Sequence, residues 1–235
     1  MSKTVSVKTP TPLIHLLLLL SATTGMVDAS SILGMGKVFT ANMTGNVVFL
    51  AFSAAGAPGF QPMSYLIALG TFMVGATFAG RLWRMPGPQH LRHWLIVAAL
   101  IEATLLMFAG VVALGIDQAE LPDQRLIWCA IALTSAAMGF RNAVIRQIQV
   151  PDLTTTVLTL TITGLASDSH IASGQAPNFG RRFGAVAMIF CGAALGSVLY
   201  LQFGLAPVLF STCGIVLLGT LLFARHPQMS ELHRK

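Results

Sequence analysis

Apolar residues fall in long blocks along this chain, without the alternation or one-face spacing of a water-soluble fold. Six blocks, 13–33, 62–83, 93–115, 126–146, 183–203 and 206–224, each approach the ~20 residues a helix needs to cross a bilayer core of roughly 30 Å. Two more, 38–56 and 153–169, are apolar but interrupted. The first opens Val38-Phe39-Thr40-Ala41-Asn42-Met43-Thr44-Gly45-Asn46, with two amides and a glycine at its start. The second places six threonines in the eleven positions from Leu153 to Thr163. Both are short for a full crossing. The pattern predicts an all-α integral membrane protein, a single membrane domain over residues 1–235 with no separate soluble domain.

Composition agrees: 54% of residues are hydrophobic and 9% charged, against about 25% charged in a soluble domain. The net charge of +6 raises the question of a nucleic-acid partner, but basic residues cluster at block ends and no basic stripe with interleaved aromatics occurs, so no nucleic-acid partner is expected.

Charge also decides how the eight blocks cross. Cytoplasmic loops collect Lys and Arg. If all eight cross, no starting side puts both the Arg81–Arg92 cluster and the Arg181, Arg182 and C-terminal clusters in the cytoplasm. If 38–56 and 153–169 dip in and return on their own side, Lys3, Lys8, Arg81, Arg84, Arg92, Arg146, Arg181, Arg182, Arg225 and Lys235 all fall inside. The acidic loop of Asp117, Glu120 and Asp123 then lies outside, with Lys37 and Arg125 as exceptions. Six spans plus two re-entrant segments is the expected arrangement, in a bacterial inner membrane with both termini cytoplasmic. The run Leu13–Leu20 after Lys3 and Lys8 has the outline of a signal peptide, yet no clean small-x-small site closes it, and it is read as a retained first span.

The halves, about 13–115 and 126–224, match weakly. Gly25-x-x-Asp28-Ala29 in the first span corresponds to Gly139-x-x-Asn142-Ala143 in the fourth, and Gly75-Ala76 to Gly192-Ala193. Three crossings per half would make this a 3+3 inverted repeat, a recurrent transporter design with its site where the halves meet.

The runs Thr24-Gly25-Met26-Val27-Asp28-Ala29, Ala41-Asn42-Met43-Thr44-Gly45-Asn46, Arg141-Asn142-Ala143 and Asp152-Leu153-Thr154-Thr155-Thr156 resemble the YoaK-like family of uncharacterised bacterial membrane proteins over essentially the full length. The resemblance implies a six-span inner-membrane protein and no particular substrate or reaction.

Candidate chemistry follows from the residues themselves. An ionisable side chain inside a span is a functional hypothesis by default, which singles out Asp28 and Glu102 as candidate proton carriers. Arg141 is expected either to pair with Asp28 or to snorkel to the cytoplasmic side. Asp168 is a loop carboxylate or a gate. Irregular backbone at membrane depth is tolerated where it lines a cavity, so Asn42, Thr44, Gly45, Asn46, Asn142, Thr154, Thr155, Thr156 and Thr159 join Asp28 as expected solute-lining residues. A half-helix starting near Thr44 would aim its positive end at the centre, a lean toward an anionic solute. No cofactor or metal is expected: Cys129, Cys191 and Cys213 have no ligand spacing, and His90 and His93 have no third ligand nearby. His15 stands alone in a leucine run.

The expected function is transport or channelling of a small polar solute at the midplane. A non-transporting scaffold or sensor is the alternative. An enzyme is less expected, because no assembled catalytic set is present. The partners are the lipid bilayer and an unidentified solute, and a homodimer is compatible with the small-residue faces.

Overall fold

The computed structural model describes residues 10–85, 90–119, 123–148, 158–169, 172, 174 and 178–230. In chain order its elements are α1 (Thr11–Gly34), α2 (Met43–Ala54), α3 (Pro62–Arg84), α4 (Leu91–Asp117), α5 (Gln124–Ile148), α6 (Leu158–Ser167), α7 (Phe179–Phe203), α8 (Leu205–Ala224) and α9 (Pro227–Ser230). Six helices, α1, α3, α4, α5, α7 and α8, are long and apolar enough to cross a membrane. At about 1.5 Å per residue, the 12 residues of α2 reach about 18 Å and the 10 of α6 about 15 Å, each near half of a hydrocarbon core.

Pro12 and Pro62 stand in the first turns of α1 and α3, where a missing N–H costs nothing. The leucine-rich first half of α1 is apolar all round, the signature of a helix surrounded by protein, and most of it is buried. By contrast, little of α7 is buried within the bundle.

One end of the bundle is defined by four contacts. Lys37 Nζ lies 5.2 Å from the Phe60 ring centre, joining the exit of α1 to the entry of α3. Trp128 Nε1 donates to Ser64 Oγ at 3.3 Å, bringing in the start of α5. The Tyr200 hydroxyl donates to Leu33 O at 3.2 Å, bringing in the end of α7. The Asp117 carboxylate at the end of α4 accepts from Leu205 N and Ala206 N, each at 2.8 Å, at the start of α8. The opposite end holds the start of α1 and the end of α8, where the His15 and Phe223 rings sit 6.2 Å apart.

Segment 35–60 therefore leaves and returns at one end. Its descending part runs back along α1 until Thr40 and Ala41 meet Asp28, and α2 then climbs out. In the second half, Asp168 after α6 meets Arg182 in the first turns of α7, at the opposite end. The two short helices thus open toward opposite ends, their N-termini directed inward.

The long helices pack as α1 with α7, α3 with α5, and α4 with α8. The first two joints share one construction. A Cβ on Gly192 would overlap the Ala22 carbonyl and one on Gly75 the Ala136 carbonyl; likewise, Gly25 closes on Ile189 O and Gly139 on Phe72 O. Adding 114 carries Ala22 and Gly25 to Ala136 and Gly139; adding 117 carries Phe72 and Gly75 to Ile189 and Gly192. Without side chains between them, these backbones meet directly, and dispersion contacts at short range supply the attraction that lipid cannot oppose.

Candidate functional site

Two polar constellations lie within the apolar bundle. The first is a buried ion pair. Arg141 on α5 is 2% exposed and Glu102 near the middle of α4 is 4% exposed. Arg141 Nε donates to Glu102 Oε1 at 2.8 Å, and Nη2 donates to the same oxygen. Nη1 turns to α1, donating to Leu20 O at 3.1 Å, Thr23 Oγ1 at 2.9 Å and Thr24 Oγ1 at 3.0 Å. The two threonine hydroxyls themselves donate to Leu20 O at 2.9 Å, so each hydroxyl both gives and receives a bond. The guanidinium ties α1, α4 and α5 together between the apolar cluster around Leu17, Leu95 and Val144 and the one around Tyr65, Leu106 and Ile131.

This corrects both expectations for Arg141. It neither pairs with Asp28 nor snorkels, because Glu102 on the neighbouring helix offers a full charge within reach. Glu102 is correspondingly engaged in helix packing. An arginine and a glutamate on adjacent spans are a pair by default in a membrane, and that signal was available in the residues.

The second constellation is a cleft of about 850 Å³ between α1, α7 and the inner ends of α2 and α6. Asp28, Thr24 and Gly25 of α1 form one wall, Ala193 and Ser197 of α7 another; Asn42, Thr44 and Gly45 come from the start of α2, and Leu158 and Thr159 from the start of α6. Phe39 and Phe49, with ring centres 5.9 Å apart, join aliphatic residues such as Ile32, Leu33, Val48 and Ile189 in the rest of the wall. Asp28 Oδ1 accepts from Thr40 N at 2.9 Å, Ala41 N at 2.8 Å and Thr40 Oγ1 at 3.3 Å. One carboxylate oxygen thus holds the descending segment against α1 and brings a carboxyl group to the start of α2, where the helix dipole suits it.

Of the residues expected to line a solute path, Asp28, Asn42, Thr44, Gly45 and Thr159 do line this cleft. Asn46 does not. It is fully buried, its Oδ1 accepts from Phe39 N at 2.9 Å, and its Nδ2 donates to Phe39 O at 2.6 Å. An amide matches a peptide unit in both donor and acceptor, so Asn46 clamps the irregular segment instead of presenting itself to a solute. Asn142, Arg141, Glu102 and Asp168 lie outside the cleft wall. Thr154, Thr155 and Thr156 fall outside the described residues, as does Glu120. The positive end of α2, expected to await an anion, already faces the chain's own carboxylate.

Ser197, Phe39 and Phe49 were not anticipated. The phenylalanines flank the interrupted run and read as ordinary apolar residues; nothing local marks Ser197.

Asp168 sits at the far end of α6. Arg182 Nη1 donates to its Oδ2 at 2.6 Å, and this hydrogen bond holds the Asp168 carboxyl below its ordinary value.

Six crossing helices with two half-length helices between them make this a multi-pass helical membrane protein. It belongs to the family described as Protein of unknown function (DUF1275), which it matches over residues 16–222. It is similar to the UPF0700 transmembrane protein YoaK of Bacillus subtilis (strain 168), with 32% identity over 157 residues. That match covers 65% of this chain and 65% of the relative. No solved structure matches the chain.

Proposed function

We propose that this protein moves a small polar solute across a bacterial inner membrane through the cleft beside Asp28, and that it is not an enzyme. The observation that carries the reading is the cleft itself: a space of about 850 Å³ with a mainly apolar wall in which Asp28, Asn42, Thr44, Thr159 and Ser197 stand, and which the inner ends of both half-length helices reach. Polar side chains that face such a space cost free energy in a bilayer unless water or a solute meets them.

The repeated joints, Gly25 and Gly192 in one and Gly139 and Gly75 in the other, support reading the halves as an inverted repeat, since α1 and α5 run in opposite directions. Such a repeat lets one half rock against the other around a fixed site. In this reading the Lys- and Arg-rich end, with Arg181 and Arg225, is cytoplasmic, and both termini lie there. Asp28 is the candidate coupling carboxylate. Glu102, tied to Arg141 and outside the cleft wall, has no part in coupling in this reading.

The Arg141 network favours a second reading as a scaffold, because it spends polarity wholly on joining helices. Flux separates the two. Purified protein in liposomes is expected to release part of an entrapped mixture of small metabolites, with a pH gradient altering the rate. Vesicles that stay tight to the whole mixture, with and without the gradient, would overturn transport.

A further inference from the structure

We propose that the cleft takes a small organic cation, an alkylammonium or alkylguanidinium group, with Asp28 as its counter-charge. The inference rests on reading the cleft as a solute site and names the class of solute.

Charge is the first ground. Among the described lining residues Asp28 is the sole ionisable side chain; no Lys, Arg or His stands on the wall. The guanidinium of Arg141 bonds to Thr24 on the cleft wall but spends Nε and Nη2 on Glu102 and Nη1 on α1, so its charge is already matched. The inward ends of α2 and α6 each add a partial positive charge of about half a unit, spread over backbone N–H groups beside the localised carboxylate of Asp28. Among the described lining residues an anion would meet a carboxylate and no basic side chain.

The bonding of Asp28 is the second ground. Three hydrogen bonds from Thr40 and Ala41 converge on Oδ1, and the Asn42 N–H also donates to the carboxyl. Together they anchor the carboxylate on the cleft wall. A group that only stapled the segment to α1 would need one oxygen and no charge. The matching position in the second half carries an amide, Asn142.

The remaining wall is the third ground. Phe39 and Phe49 line the cleft as a stacked pair of rings, a π-system that favours a nearby cation over an anion. Asn42, Thr44, Thr159 and Ser197 offer oxygen acceptors for N–H donors. The volume is that of a small-molecule pocket and far exceeds what a bare metal ion fills. Carboxylate, paired phenyl rings and scattered hydroxyls together describe a site for an amphipathic cation with a short carbon chain.

Four size-matched probes test this: butylammonium, butylguanidinium, butanol and butyrate, titrated calorimetrically into purified protein in nanodiscs at neutral pH. The cations are expected to bind at least about tenfold tighter than butanol, the worth of one charge-assisted hydrogen bond, and butyrate not at all. Asp28→Asn keeps the Oδ1 acceptor and so the fold, and should bring the cations down to the level of butanol. Thr44→Lys, at an exposed position, brings a competing charge to the wall without touching the Asp28 bonds and should abolish cation binding, which keeps the test decisive if Asp28→Asn fails to fold. Butyrate binding in preference, butanol equalling the cations, or no binding of any probe would overturn the proposal. In liposomes the two readings separate. Cations that bind but never cross would sink transport and leave the charge assignment standing. Butyrate crossing while the cations do not would keep transport and sink the assignment.

Discussion

Arg141 and Glu102 meet at mid-depth in the bundle with almost no exposed surface, and the guanidinium reaches past the carboxylate to grip Leu20, Thr23 and Thr24 on a third helix. Because α1 packs mainly on α7 and α8, and α5 on α3 and α4, this side chain ties α1 directly to α5, which are otherwise joined through α8 and α4. Thr24 also walls the cleft beside Asp28. The ion pair and the cleft therefore meet along about one turn of α1.

Breaking a buried pair by deleting one partner leaves an unmatched charge and costs about 3–5 kcal/mol, whereas replacing both with apolar residues of similar volume is often neutral. Glu102→Leu alone and Arg141→Met alone should each lower the folded yield and melting temperature sharply in detergent. The double variant should recover most of the loss. Double-variant stability no better than the sum of the singles would show that the pair does more than cancel charge, and that the grip of Arg141 on α1 outweighs its match to Glu102.

The glycine joints allow a controlled comparison. Gly192→Ala and Gly75→Ala would each drive a methyl into backbone, which no rotamer change relieves; overpacking of this kind costs about 1–3 kcal/mol. Gly70 and Gly214 lie on the same kind of helix with open space around the added methyl. Alanine there should hold or raise stability, since it favours the helix by about 0.8–1.0 kcal/mol over glycine. Thermal melts of the four variants check the contrast, and similar losses at Gly192 and Gly75 are expected because their joints match.

The spans were legible because the bilayer reads length and hydropathy, both local properties of sequence. The block 13–33 became Thr11–Gly34 and 206–224 became Leu205–Ala224. The interruptions at Thr40–Asn46 and near Thr159 likewise marked the two half-length helices. What stayed hidden depends on direction and partner. The Asn46 amide has the same chemistry whether it faces a solute or the Phe39 peptide, and only the fold of the segment decides. The match of Arg141 to Glu102 over Asp28 turns on which helices are neighbours. Ser197 joined the cleft because α7 lies beside α1, a pairing that the glycine positions hinted at without identifying.

At the α7–α8 corner, Gly204 has φ +87° and Asp117 caps the start of α8 from another helix. A Cβ at Gly204 would press on the Asp117 carboxylate in a conformation that L residues rarely adopt. Asp117→Ala removes both cap bonds and should cost about 0.5–2 kcal/mol. Asp117→Asn keeps one oxygen acceptor and should fall between. Hydrogen exchange at the Leu205 and Ala206 amides is the direct readout, with faster exchange expected in Asp117→Ala; an unchanged rate would remove the cap from the account of this corner.

The anchor of α6 should carry a pH signature. The Arg182 hydrogen bond lowers the Asp168 pKa in the folded protein below its ordinary value of 3.8. A depressed folded pKa means the stabilisation is fully present above the unfolded value and is lost as pH falls through the folded one. The difference in melting temperature between wild type and Asp168→Asn should therefore be constant from neutral pH down to about pH 5 and close below about pH 4. The effect is small, because Asp168 is 40% exposed and water screens the pair. A difference that instead grows on acidification would mean that Asp168 prefers its protonated form in the fold.

Sidedness tests the re-entrant arrangement most directly. In a background lacking Cys129, Cys191 and Cys213, single cysteines at Lys37 and Pro58 flank α2, and cysteines at Ser169 and Arg181 lie beyond α6. If both short helices turn back, an impermeant thiol reagent applied to intact cells should label the first two and spare the second two, and inverted vesicles should reverse the result. The discriminating pair is Lys37 with Pro58. A full crossing by segment 38–56 would put them on opposite sides of the membrane, whereas the contact of Lys37 with Phe60 requires one side. Pro58 labelled only in inverted vesicles would therefore rule out the re-entrant α2, and with it the meeting of two inward helix ends at the Asp28 cleft.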